Sequence, residues 1–192
     1  MTYRAFISVV IFCATANAAL ATEGINLQPR YDPARYSKLD RTIDPDGLIY
    51  GLKFGATEKQ VLDTLGVPNG VIAISDTRKA LLYGKSHLLV FRGGRFRELR
   101  IGEHVINWEM ARQMDGNPFF DRGDWVVKPG IKNGMSFEEI QTLLGRPGAV
   151  PDHKFSYDTK ETSVSLSFAS YSQSGREGGY RLHGLSIMSF GQ

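Results

Sequence analysis

The stretch that most constrains the fold occurs twice. Gly51 to Pro68 reads GLKFGATEKQVLDTLGVP, and Gly130 to Pro147 reads GIKNGMSFEEIQTLLGRP, in one register and without a gap. Gly51/Gly130, Lys53/Lys132, Gly55/Gly134, Leu65/Leu144, Gly66/Gly145 and Pro68/Pro147 are identical; Leu52/Ile131, Thr57/Ser136 and Val61/Ile140 are close substitutions. Two such segments in fixed register point to an internal duplication. Each copy is written as a short capped helix. Thr57 and Ser136 stand at the N-cap, where a side-chain oxygen accepts from a free N–H of the first turn. Gln60 and Glu139 follow three residues later and complete a capping box. Val61, Leu62 and Leu65 recur at helical spacing, as do Phe137, Ile140, Leu143 and Leu144. Gly66 and Gly145 end the helix, and Pro68 and Pro147 prevent its continuation. Gly55, Thr57, Gly66, Pro68, Gly134, Ser136, Gly145 and Pro147 are therefore read as residues of a structural motif. A helix N-terminus can hold an anion, but neither copy carries a phosphate-loop pattern.

Short strand patterns follow each helix. After the first come Val71–Ile74, Ala80–Tyr83, His87–Phe91 and Phe96–Ile101, with a turn at Arg92-Gly93-Gly94-Arg95. After the second come Lys154–Tyr157, then Ser163 to Phe168, where Val164, Leu166 and Phe168 alternate with serines. That alternation is a half-buried antiparallel strand. A loop from Ser170 to Gly179 precedes a return strand from Tyr180 to Phe190, and Gly178-Gly179 matches Gly93-Gly94 in place. The fold class expected is α+β: two tandem repeats, each a short helical element packed on an antiparallel β-sheet of about three to four strands. Ile106, Met110 and Met114 share one face of a helix joining the units, and Asn117-Pro118 with Asp121 to Asp124 reads as linker. The boundaries are 1–21 for a leader, 22–47 for an N-terminal arm, 48–116 for repeat unit 1 with its joining helix, and 117–192 for repeat unit 2.

The leader reads as a secretory signal peptide. Arg4 gives a positive start, Ala5 to Phe12 an apolar run, and cleavage fits after Ala18 or Ala21. Cys13 raises a lipoprotein alternative, but bulky Phe12 precedes it, so a lipid anchor is not expected. Cys13 is the single cysteine, and past the leader the chain can form no disulfide. A formal net charge of +3 gives no case for nucleic acid, and no later apolar run is long enough to span a bilayer. The arm carries Pro29, Pro33 and Pro45 and is expected to be extended, pinned by Tyr31 and Tyr36; Asp44-Pro45-Asp46-Gly47 reads as a turn rather than a calcium loop.

Gly134, Met135, Ser136, Glu139, Ile140, Leu143, Leu144, Gly145 and Pro147 together resemble the motif that opens domains of the outer-membrane assembly lipoproteins called SmpA/OmlA or BamE-like. Gly55, Thr57, Val61, Leu65, Gly66 and Pro68 form a degenerate version. Two such units in tandem resemble the β-lactamase inhibitor protein (BLIP-like) superfamily. The resemblance implies helical elements on antiparallel sheets and a concave, partner-binding sheet surface.

The chemistry-bearing residues are scattered. His87, His104, His153 and His183 make no HExxH pair, and no serine sits in a G-x-S-x-G elbow. No catalytic residue, metal site or cofactor is expected, although a triad assembled by folding stays open. A binding surface has more support. Arg92, Arg95, Arg97 and Arg100 flank one hairpin together with Phe91 and Phe96, and Arg and aromatics are favoured interface anchors. Tyr171, Arg176 and Tyr180 sit in a segment rich in Ser and Gly, the composition of adaptable paratopes. The candidate partner-binding residues are Arg95, Phe96, Arg97, Tyr171, Arg176 and Tyr180. The bland alternatives are a solvated hairpin end with core phenylalanines, and a mobile tip. The expected function is an exported, periplasmic or secreted, non-catalytic protein-binding module, used as an inhibitor or immunity protein against a secreted or envelope enzyme. The alternatives are an envelope-assembly or maintenance factor, and a hydrolase whose triad is invisible in sequence.

Overall fold

A computed structural model describes residues 32–102, 105–106, 108–146, 154–173 and 176–191. The leader with Cys13, the arm through Tyr31, Pro147, His104 and His153 lie outside the described residues.

The two capped helices form where the motif puts them. Helix α2 spans Glu58–Leu65 and helix α5 Phe137–Leu144; α1 is Pro33–Tyr36, α3 Trp108–Gln113 and α4 Pro118–Asp121. Thr57 accepts from Gln60 N–H while the Gln60 side chain takes the Thr57 N–H, and Ser136 and Glu139 do the same. Helices this short are marginal alone. Packing holds them: Val61, Leu65 and Ile140 are wholly buried and Phe137 nearly so. Each such aliphatic side chain contributes roughly 1.5–3 kcal/mol.

Seven strands make one sheet in the order β2-β3-β4-β5-β10-β9-β8. They are β2 Gly70–Ser75, β3 Arg78–Tyr83, β4 His87–Arg92, β5 Arg95–Gly102, β8 Lys154–Asp158, β9 Thr162–Gln173 and β10 Arg176–Ser189. All neighbours are antiparallel. A smaller sheet, β1-β6-β7, joins Thr42–Ile43, Val126–Val127 and Ile131–Lys132. In place of two separate sheets of three to four strands, β5 and β10 pair and the seven strands form one sheet. Gly102 and Gly184 face each other in that pairing. A Cβ on Gly184 would lie 2.8 Å from the Ile101 carbonyl oxygen, so this close approach admits only glycine without backbone movement.

Both helix motifs meet the sheet through the same backbone bonds. Gly55 N–H donates to Phe96 O and Phe96 N–H to Ala56 O; Gly134 N–H donates to Leu182 O and Leu182 N–H to Met135 O. Thr57 bridges Arg95 and Ser136 bridges Arg181. Gly55 and Gly134 adopt φ of 87° and 80°, the left-handed region open to glycine, where the chain turns into each helix. By these bonds Arg95 corresponds to Arg181. Gly93-Gly94 is therefore out of step by one residue with Gly178-Gly179.

One core spans both halves. Leu81, Leu89, Phe91, Phe96 and Leu99 join Val164, Leu166, Phe168, Leu182 and Ile187 on one sheet face, under α2, α5 and the small sheet. The joining segment packs on the opposite face: Ala111 of α3 and its flanking residues Val105, Ile106 and Met114 cover Ala80, Leu82, Leu88 and Val90. Two expectations are corrected. The segment from Asn117 to Asp124 is no free linker, because Phe119 and Phe120 are core residues and Asp121 accepts from the Lys85 and Asn117 N–H groups. The loop expected from Ser170 to Gly179 is mostly paired strand, running from Ser170↔Tyr180 to Gln173↔Arg176 with a register shift between Gly178 and Tyr180. Within the arm, Tyr36 is buried and donates to Leu65 O at 2.8 Å. The 44–47 turn closes by Gly47 N–H to Asp44 O, and Asp46 accepts from Thr159 Oγ1 and Glu161 N–H.

Candidate functional site

The face opposite the main core is only partly covered among the described residues. α3 lies over β3 and β4, while β5, β10, β9 and β8 present polar side chains beyond it. Strand alternation explains this. Val164, Leu166 and Phe168 point to the core, so Ser163, Ser165 and Ser167 point away. Buried Glu98 accepts from Arg100 Nε at 2.6 Å and Ser186 Oγ at 3.1 Å on this face.

Two hollows lie at the β4–β5 hairpin end. One, of about 320 Å³, is lined by Arg78, Val90, Arg92, Arg97, Glu98, Met188 and the chain from Ser189 to Gly191. The second, of about 630 Å³, is lined by Phe54, Gly55, Arg95, Arg97, Lys160, Glu161 and the same terminal segment. Arg97 borders both, at a bulge in β5 between the Val90↔Glu98 and Phe91↔Phe96 pairs. Met188 and Phe190 are exposed apolar side chains beside these arginines.

The structure separates the residues singled out in sequence. Arg95 and Arg97 lie at this end; Arg95 is exposed and donates to Gly55 O at 3.3 Å. Phe96 is fully buried, stacked on Phe54 at 4.9 Å, so it is a core residue and not a contact for a partner. Arg100 is drawn to Glu98. Tyr180 is exposed, but at the opposite end of β10. Met188 pairs with Glu98, and the eight-residue run back to Tyr180 covers roughly 26 Å of strand. The Tyr171 and Arg176 backbones pair within the same distal hairpin, and their side chains lie outside the described residues. The six candidates thus form no single surface. Sequence reading missed Arg78, Met188 and Phe190. Sheet order brings them to the arginines, and Met188 and Phe190 in particular enter only through the β5–β10 pairing.

One polar chain, buried at Tyr50 and His87 and open at Asp121, has the residue types of a hydrolytic triad. Ser86 Oγ lies 2.9 Å from His87 Nδ1 and 3.2 Å from Asp121 Oδ1, and His87 Nε2 lies 2.7 Å from Tyr50 Oη. The order is wrong for that chemistry. The carboxylate meets the serine rather than the imidazole, and Tyr50 occupies the second ring nitrogen, where a triad needs Asp–His–Ser. His87 is buried, and the crevice beside it has no room for a water. Burial pushes the His87 pKa down to about 3, so the ring is neutral. Burial also raises the Tyr50 hydroxyl far above its ordinary value. A proton on Nδ1 fits these contacts: Tyr50 donates to Nε2, Nδ1–H donates to Ser86 Oγ, and the one Ser86 hydroxyl proton is shared between Asp121 Oδ1 and the Phe120 carbonyl, each at 3.2 Å. Tyr50 has a φ of 53°.

No three His, Cys, Asp or Glu side chains among the described residues are placed to hold a metal ion. No helix among them is long and apolar enough to cross a membrane. No family model and no curated protein matches the chain. A similar solved structure is that of an extracellular protein containing a SCP domain from Bacillus anthracis str. Ames, at 10% identity and a TM-score of 0.37. The match covers 71% of this chain and 44% of that one, so the chain spans less than half of that protein's length. A likeness of this size carries neither fold nor function across.

Proposed function

We propose that this chain is an exported, non-catalytic protein-binding module, acting in the periplasm or outside the cell as an inhibitor or immunity protein for an envelope or secreted protein. We further propose that it is built as two tandem helix-on-sheet repeats, 48–116 and 117–192. The shared Gly-x-Thr/Ser motif and the matching docking bonds of Gly55 and Gly134 support the duplication. The leader pattern of residues 1–21 supports export.

One observation carries the binding reading: arginines and exposed apolar side chains are massed together at one end of the sheet. Arg78, Arg92 and Arg97 adjoin exposed Met188 and Phe190. Arg beside apolar area is an anchor composition at protein interfaces. Cationic excess there suits an acidic partner surface and speeds encounter with it. The Ser86–His87–Asp121 chain serves as a structural support in this reading.

The test is affinity capture from the producer's envelope and culture fluid, using the chain from Thr22 onward. One stoichiometric enzyme or toxin, with activity that falls on titration, supports inhibition. Outer-membrane assembly machinery would move the reading to an envelope-assembly factor. Empty capture at low salt contradicts a protein partner.

A further inference from the structure

We infer that the hollow between Arg78, Arg92 and Arg97 is a carboxylate-recognition site, taking an acidic group displayed beside an apolar side chain. It rests on the protein-binding reading only for the source of that group. Arg78 and Arg92 are direct cross-strand partners. Like charges so placed repel, and neither side chain has a hydrogen-bond or ion-pair partner among the described residues. Arg78 Nε is in addition buried without an acceptor. Arg97, Val90, Met188 and Phe190 complete the walls of a hollow of about 320 Å³. That volume suits a carboxylate with one side chain attached, and is too small for an extended peptide.

The chemistry narrows the anion. A guanidinium fork matches a planar carboxylate with two parallel N–H···O bonds. Phosphate would also match the fork, but Glu98 lines the same hollow and its charge opposes a dianion more than a monoanion. The apolar wall of Val90, Met188 and Phe190 offers nothing to bare inorganic anions and favours a carboxylate on an apolar body. A protein supplies that group either as Asp or Glu next to an apolar residue, or as the chain terminus itself.

The experiment uses the chain from Thr22 onward and four probes: N-acetyl-Leu-Phe free acid, N-acetyl-Asp-Phe-amide, N-acetyl-Leu-Phe-amide and inorganic phosphate. The readout is the NMR shift of the arginine Nε–Hε and Met188 methyl signals. One or both acids are expected to move the Arg78, Arg92 and Met188 signals saturably, with dissociation constants of order millimolar. The terminal acid and the Asp probe distinguish the two sources. Arg92→Gln, an exposed substitution, is expected to weaken that binding about tenfold or more, as loss of a charge-assisted bond does. Equal shifts from the neutral amide, tighter binding of phosphate, no saturable shift, or no effect of Arg92→Gln would each overturn the site. If the probes fail while partner capture succeeds, the carboxylate site falls and protein binding stands. If the probes bind and capture is empty, the site stands and the protein-binding reading falls.

Discussion

Lowering the pH toward the His87 pKa should destabilise the fold, and the size of the effect follows from the ring's surroundings. The ring lies inside an aromatic cluster of Tyr50, Phe119 and Phe120, with Ser86, Asp121, Arg41 and Asp124 nearby. Burial drops its pKa from 6.5 to about 3. Between those values the unfolded chain binds a proton that the native state refuses. Stability is therefore full above about pH 6.5 and is lost as pH falls toward 3. At about pH 4.5 the loss is roughly 3 kcal/mol, from two pH units at 1.36 kcal/mol each. That is a large part of the stability of an ordinary domain. Asp40 and Asp46 do not obscure the window. The Thr42 N–H lowers Asp40, and for Asp46 the bonds from Thr159 and Glu161 outweigh burial. Both carboxylates therefore lose their contribution only below about pH 4. The assay is urea denaturation of wild type and His87→Gln from about pH 7 down to pH 4.5. Glutamine can still accept from Tyr50, so the variant should fold, and its stability should fall less steeply with acid. Parallel pH profiles for the two proteins would refute the claim that the ring is held neutral.

Three further substitutions test other parts of the structure. Phe96→Ala should cost about 3–5 kcal/mol in denaturant unfolding, as for a buried aromatic, whereas Arg95→Ala should cost less than about 1 kcal/mol. Equal effects would place Phe96 on the surface. Thr57→Ala and Ser136→Ala should each cost about 1 kcal/mol by loss of a capping box, read from urea midpoints. Gly184→Ala should cost about 2–3 kcal/mol, since its Cβ would press on the Ile101 carbonyl, and a neutral result would deny the β5–β10 pairing.

The local elements were legible in sequence because each is specified locally. Thr57 with Gln60 and Ser136 with Glu139 cap helices that begin within a residue of the expected place, and the Val164–Leu166–Phe168 alternation faces the core. Fusion of the strands into one sheet was not legible. It depends on β5 meeting β10 across a long sequence separation, which no local pattern encodes. Phe119 and Phe120 were missed because Asn117-Pro118, Gly123 and the charges around them look like linker, while their rings fill the space under Tyr36, Tyr50 and Tyr83. The arginine hairpin was visible as composition, but not its neighbours. Arg78 reaches Arg92 through the β3–β4 register, and Met188 and Phe190 arrive with the last strand. Tyr171, Arg176 and Tyr180 resembled a paratope in composition, and only strand direction places them at the far end.

The central proposal is that a protein partner is held at the arginine-rich end of the sheet. Its most direct test is capture with wild type beside an Arg92→Glu, Arg97→Glu variant, both from Thr22 onward and matched in urea midpoint. The expected result is one partner retained by wild type and lost by the variant. Equal retention of that partner by both proteins would contradict the proposal.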